Sequence, residues 1–333
     1  MEHRCIAISS DKHQQLSSAV LCLGGGYGIN TTIYGNTDVT VSIGKADAYD
    51  GATDGGATRT ADRAVWSTLL NTTDGTYKTE YGGLVDWVKQ RYYGGASGML
   101  SGYVASRLSN NFSIPNHTFM NIVGGGMAGK VTGNAAVSIS DQSMCHNVFG
   151  GGIGIMPESP TGTEDYGQVG GSTTVNITGG IIENNVYGGG AGVESYKKDD
   201  GSFTDFTEIA AVDKTTSVSI TGTSLMDDTD GTVIFGKVFG GGDVANVKNS
   251  APLNPADPAA TVSVTGGAIY QQVFGGGSGR LNSQCNNYTN LGKVTGNTHV
   301  TINQAEKPTY LWNRVYGGGS YGSVTGKDRK SVV

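Results

Sequence analysis

Apolar residues recur along this chain in three short patterns, each a few residues long and set off by glycine. The first is a valine followed by Thr-Gly-Asn, at Val131 and Val294. The second alternates apolar and polar positions as Thr-x-Val-x-Ile, with the aliphatic pairs Val137/Ile139, Val175/Ile177, Val218/Ile220, Val262/Val264 and Val300/Ile302. Alternation of period two sends both aliphatic residues to one side of an extended strand. The third pattern begins four residues before a valine-aromatic-glycine phrase, at Met144, Ile182, Ile234, Ile269 and Leu311. These runs are short, β-branched and punctuated by glycine, which predicts strands and corners rather than helices.

The phrase itself organises the chain. It reads Val148-Phe149-Gly150-Gly151-Gly152, Val186-Tyr187-Gly188-Gly189-Gly190, Val238-Phe239-Gly240-Gly241-Gly242, Val273-Phe274-Gly275-Gly276-Gly277 and Val315-Tyr316-Gly317-Gly318-Gly319. Weaker copies are Cys22-Leu23-Gly24-Gly25-Gly26, Tyr92-Tyr93-Gly94-Gly95 and Ile122-Val123-Gly124-Gly125-Gly126. The shortest repeat steps 26 residues, from Gly124 to Gly150. Two longer copies align without a gap at an offset of 87, Val175 with Val262 and Val186 with Val273. Such recurrence in one molecule means one structural unit reused.

A unit with three short strands and three corners fits one turn of a parallel β-helix (β-solenoid), and the fold class expected is all-β, with roughly seven coils. One unit cannot bury its apolar side alone. Stacked at about 4.8 Å on the next, it builds a continuous core. Each aliphatic side chain then contributes about 1.5–3 kcal/mol when fully buried. Phe149, Tyr187, Phe239, Phe274 and Tyr316 are expected to form one aromatic column, adding about 0.5–1.5 kcal/mol per stacked pair. The glycines suit a corner that needs positive φ or a close approach of two backbones. A propeller is the weaker reading, because a blade needs four strands in about 40 residues or more.

The repeat domain is expected over residues 20–326, after an N-terminal segment at 1–19 and before a tail at 327–333. Longer units carry insertions at 44–83, 193–216 and 246–260; the last, with Pro252, Pro255 and Pro258, cannot be a central strand. Inside the first, Asp62–Leu70 reads as a short helix capped by Thr60 or Asp62. Gly83–Gln90 reads as a second helix or as a third strand, and Val88, four before Tyr92, favours the strand. Insertions in repeat proteins emerge on particular faces and often carry the binding surface.

Composition narrows the class. Glycine is 55 of 333 residues with no G-X-Y period, and charged residues are only 15%. A disordered chain would be more charged and poorer in β-branched residues. The net charge of −6 argues against a nucleic-acid partner. No apolar run approaches the about 20 residues of a membrane helix, so no membrane insertion is expected. The opening residues lack the apolar stretch of a secretory signal. Either the chain stays inside or it is part of a longer, export-competent product, and the abrupt ends favour the second. Four cysteines, Cys5, Cys22, Cys145 and Cys285, are too scattered for a disulfide scaffold. Cys22 takes the valine place of the phrase and reads as a small core residue.

Chemistry is harder to find. No G-x-G-x-x-G opens a helix and no G-K-[ST] completes a phosphate loop. Gly25-Gly26-Tyr27-Gly28-Ile29-Asn30 mimics a calcium-binding nonapeptide, but the tandem nine-residue spacing is missing. Asp227-Asp228-Thr229-Asp230-Gly231 lacks the glutamate that closes an EF-hand loop. Glu183 and Asp141 are the acids in the regular strand region, and stacking creates no acidic cluster from them. Glu164/Asp165, Asp199/Asp200 and Asp205/Glu208 sit in insertions. His3, His13, His117, His146 and His299 share no metal-like spacing, and Cys145 and His146, adjacent on a strand, face opposite sides. No catalytic, cofactor-binding or metal-binding residue is therefore assigned, and no cofactor is expected. Tyrosines near the insertions, among them Tyr27, Tyr166 and Tyr196, suit adaptable binding surfaces; packing of the loops onto the coils explains them equally well.

The units Lys130-Val131-Thr132-Gly133-Asn134 and Lys293-Val294-Thr295-Gly296-Asn297-Thr298-His299-Val300-Thr301-Ile302, each leading to V-[FY]-G-G-G, resemble the repeats of large repetitive surface proteins of gut anaerobic bacteria. Gly179-Gly180-Ile181-Ile182 and Gly266-Gly267-Ala268-Ile269 show a looser likeness to polymorphic outer-membrane autotransporter repeats. The resemblance covers most of 20–326. It implies a parallel β-helix, an extracellular or cell-surface address, and a non-catalytic role as adhesin or rigid scaffold. Partners would be host or bacterial surface glycans or proteins. It transfers no catalytic residue. A polysaccharide lyase or hydrolase on the same fold and a filament subunit that stacks end to end are the alternatives.

Overall fold

The computed structural model describes residues 3–7, 21–43 and 118–332, apart from 142, 183, 224–230, 251, 253, 255, 281–290 and 304–307. The chain divides into two compact units, Met1–Ile43 with His117–Val333, and Gly44–Asn116. The second unit lies outside the described residues, and with it the expected insertion at 44–83, both of its candidate helices and the Tyr92–Gly95 phrase. Among the described residues there is no helix; the first unit is built from strands and turns.

Two long parallel sheets hold it together. The one with the longer strands, larger in residues although it has eight strands against 11, pairs His3–Ala7, Thr37–Ile43, Ala135–Asp141, Thr173–Ile177, Thr216–Ile220, Pro258–Val264, Asn297–Ile302 and Asp328–Val332 in that order. Every neighbour is parallel, and the register puts like on like: Val39, Val137, Val175, Val218, Val262 and Val300 stand in one row. The first and last of these strands lie outside the expected 20–326 span. Cys5 pairs with Val39, and Lys330 pairs with Val300. Both replace the valine of the pattern, which hides these edges from a search for Thr-x-Val-x-Ile.

The second sheet carries the glycine phrase. Cys22, Ile122, Val148, Val186, Val238, Val273 and Val315 form one row. Leu23, Val123, Phe149, Tyr187, Phe239, Phe274 and Tyr316 form the next. Leu21–Leu23 pairs directly with Asn121–Val123, so no rung stands between them. The expected aromatic column is present, with consecutive rings from Phe149 to Tyr316 stacked at 4.9–5.0 Å.

The third pattern needs one correction. Ile182 pairs with Cys145, not with Met144. Thr118–Val123 and Met144–Phe149 run unbroken into the phrase, whereas later repeats split into two strands, as in Gly180–Ile182 and Val186–Tyr187. The split repeats hold one more residue before the valine, so counting back four overshoots in the unbroken ones. Cys145 is fully buried in the main core cluster beside Ile182 and Cys22.

A row of single bridges completes the repeat: Val131, Val169, Val212, Val247, Val294 and Val324, with Ile33 paired below Val131. Val212 and Val247 fall inside the expected 193–216 and 246–260 insertions, so each insertion contains a rung. Only the valine survives there, without Thr-Gly-Asn. Within 193–216 a short antiparallel ribbon pairs Tyr196–Lys197 with Phe203–Thr204, and Thr216 already opens a strand of the larger sheet. The ribbon is anchored by buried Phe206, Ile209 and Ala210 packed on Ala245.

The phrase glycines are chosen by crowding. Among the described residues none of them has a left-handed φ. A methyl on Gly188 would run into the Gly240 carbonyl oxygen of the next rung, and one on Gly189 would stand 2.8 Å from the Gly242 nitrogen. The backbones touch, and the amide of Gly189 donates to the Gly241 carbonyl at 3.1 Å.

Candidate interaction surface

The alternation that buries valine and isoleucine in the larger sheet turns the intervening residues outward. The middle outward row runs Thr40, Ser138, Asn176, Ser219, Ser263, Thr301 and Ser331. Ile6 pairs with Thr40 at one end of this row; each of the seven residues that follow it is uncharged and carries a hydroxyl or an amide. Beside it runs Asp38, Ala136, Thr174, Ser217, Thr261, His299 and Arg329, charged at its two ends. On the other side Thr178, Thr221 and Thr265 follow one another, their amides bonded to Ile139, Ile177 and Ile220 carbonyls at 2.9–3.0 Å. This sheet face is a lattice of small hydrogen-bonding groups, about 4.8 Å apart between strands and about 6.6 Å apart along them.

Other polar groups are spent inside the fold. Thr37, Thr173, Thr216 and Thr298 donate to the carbonyl oxygens of Gly124, Gly188, Gly240 and Gly317 at 2.6–2.7 Å. Asparagines at the corners accept amide hydrogens from the next rung: Asn134 Oδ1 from Ser172, Asn185 Oδ1 from Lys237 and Asn246 Oδ1 from Lys293, at 2.8–2.9 Å. The threonines thus satisfy buried glycine carbonyls within a coil, and the asparagines tie each corner to the next coil.

The acids of the insertions are held by local contacts. Glu164 accepts from the Thr161 amide at 2.6 Å and the Gly162 amide at 2.9 Å. Burial opposes ionisation, but those bonds outweigh it and keep its carboxyl below the usual carboxylate range. Asp165 pairs with Lys130, Asp205 accepts from Ser195 at 2.6 Å and Asp200 accepts from Ser202 at 2.6 Å. Lys248 bridges Glu208 at 2.7 Å and Asp213 at 3.0 Å, and Gln168 donates to both carboxylates. Burial pulls the Lys248 ammonium down, yet the two carboxylates prevail and hold its pKa above the usual value.

One ionic network reaches the aromatic column. Arg280 donates to both Asp243 oxygens at 2.5–2.6 Å and lies 3.4 Å from Glu194. The Tyr187 hydroxyl accepts from Asn185 at 3.1 Å. Burial, and then the Asp243 carboxylate, push its pKa well above that of an ordinary phenol.

Of the residues singled out for chemistry, Glu183 and Asp227–Asp230 lie outside the described residues, and so do His13 and His117. His146 is buried and His299 sits on the outward sheet face. Among the described residues no three His, Cys, Asp or Glu side chains converge as a metal site would require. Tyr27, Tyr34 and Tyr321 are exposed, at 72%, 80% and 55%, and do not gather on the hydroxyl lattice. The lattice is the feature that sequence reasoning passes over. Its signal lies in the x positions of Thr-x-Val-x-Ile, which read simply as "polar". No protein-family model, curated protein or solved structure matches this chain.

Proposed function

We propose that this chain is a β-solenoid of roughly seven coils that serves as a bacterial cell-surface adhesin or rigid extracellular scaffold, without catalysis of its own. The observation that carries this reading is the like-on-like register: valine on valine, ring on ring and glycine on glycine through successive repeats. Stacking of that kind spends the sequence on stiffness and leaves long repeated faces outward. Among the described residues the acids that do meet, Glu208 with Asp213 and Glu194 with Asp243, are each closed on one cation, Lys248 and Arg280, while Glu164, Asp200 and Asp205 are held by Thr161, Ser202 and Ser195.

The reading is tested with beads coated with the purified chain, scored for adhesion to bacterial and host cell surfaces. Reducing-sugar release is followed in the same wells. Adhesion above that of albumin-coated beads, with no release, is expected. Release of reducing ends, or adhesion no better than albumin, overturns it.

A further inference from the structure

We infer that the outward face of the larger sheet binds a neutral polysaccharide, through the hydroxyl and amide row centred on Asn176 and Ser219. This deepens the adhesin reading and rests on it.

The row is an interaction surface whose hydrogen-bonding capacity is unspent. Ser138, Asn176, Ser219 and Ser263 make no side-chain hydrogen bond among the described residues. They stand side by side in consecutive strands, and none is buried. Each hydroxyl both donates and accepts, and the Asn176 amide does the same with fixed geometry.

The chemistry of the face selects its partner. Protein interfaces are built around aromatic, methionine and arginine anchors, and the rows between the Ala135–Asp141 and Pro258–Val264 strands hold none. Nucleic acid and anionic lipid call for clustered cations, which those strands also lack on this face. A partner rich in uncharged hydroxyl groups remains. One such contact is worth only about 0.5–1.5 kcal/mol, so a monosaccharide would not be held. A polymer meeting the row from Thr40 to Thr301, about 24 Å at the strand spacing, makes many contacts at once, and each subsequent contact forms at high effective concentration.

The test is co-sedimentation of the whole chain with insoluble cellulose, mannan, xylan and starch granules at low and high salt. Binding to at least one is expected, unchanged between about 0.05 and 1 M salt because no ion pair is involved. The double variant Ser138→Lys/Ser219→Glu keeps the net charge and sets opposite charges two rungs apart; it is expected to bind at least tenfold more weakly. Ser219→Thr should retain binding, and Tyr34→Ala should match the unaltered chain. Unchanged thermal melting of the double variant separates loss of binding from loss of fold. Sedimentation with none of the four polymers overturns the inference, as does equal binding by a folded double variant or binding abolished by salt. Each of these three results leaves the adhesin reading standing if coated beads still adhere to cells.

Discussion

The hydroxyl of Thr216 donates to the carbonyl oxygen of Gly240 at 2.6 Å, and both residues are buried. Thr37, Thr173 and Thr298 repeat the bond on their own glycines. The contact joins the start of a strand in the larger sheet to the glycine corner of the same coil. Thr216→Val keeps the shape and removes the donor, leaving a buried carbonyl without that partner. We expect a loss of about 1–3 kcal/mol, read from urea unfolding midpoints. Ala260, which stands in the same row as Thr216, has no hydroxyl to lose, so Ala260→Ser should not reproduce the loss.

Gly188 and Gly201 are both glycines for opposite reasons. Gly188 has no left-handed φ, but a methyl there meets Gly240 and Thr216; Gly201 has a φ of +82° and nothing within 4 Å. Gly188→Ala must push two backbones apart and should cost about 3 kcal/mol or more, at the upper end of overpacking. Gly201→Ala incurs only the strain of the left-handed conformation, about 1–2 kcal/mol. Thermal melts of the two variants decide the matter. An equal cost in both would remove close approach as the reason for the glycine phrase.

Much of this arrangement was legible in the sequence. Val137, Val175, Val218 and Val262 declare their row by spacing, and Phe149, Tyr187, Phe239 and Phe274 declare theirs by the phrase. What the sequence hid follows from three causes. A single extra residue before Val186 shifted the partner of Ile182 from Met144 to Cys145. Substitution within the pattern, Cys5 at one end and Lys330 at the other, masked the edge strands. Val212 and Val247 hold their places by one apolar side chain in a polar neighbourhood, a signal too short to separate from a loop. The hydroxyl lattice was visible as residue types, but only the register shows that Ser138, Asn176, Ser219 and Ser263 are neighbours.

Tyr187 gives the fold a pH dependence at the alkaline end. Burial first, then Asp243, raises its pKa above the ordinary phenol value. The folded state therefore keeps the proton after the unfolded chain releases it. The stability this group contributes is fully present below about pH 10 and is lost as pH rises towards its folded pKa. The loss approaches about 1.4 kcal/mol per pH unit for one proton. Tyr187→Phe supplies the ring found at Phe149 and Phe239 and removes the titrating group. Urea midpoints measured from about pH 8 to 11, on either side of the ordinary phenol value, should fall less steeply in this variant. Parallel slopes would show that Tyr187 is not the group responsible.

Lys330 occupies the place where Val300 and the valines behind it face the core. Its ammonium lies 3.5 Å from the Val315 carbonyl, on the edge of the phrase sheet. Asp328 and Arg329, both exposed, flank it on the same strand, with Asp328 in the row of Thr298. An edge strand with unpaired backbone groups is a template for another chain, and inward-pointing charge is one way proteins block that use. End-to-end stacking through this edge would bury the ammonium and the Asp328 carboxylate, a cost of several kcal/mol per ion unless they are paired. The double variant Asp328→Thr/Lys330→Val restores Thr-x-Val to the last strand and removes that obstacle. Light scattering after gel filtration is expected to show the unaltered chain at constant mass over a hundredfold range of concentration and the variant growing with concentration. Growth by the unaltered chain would instead support a filament subunit and show that these charges do not guard the edge.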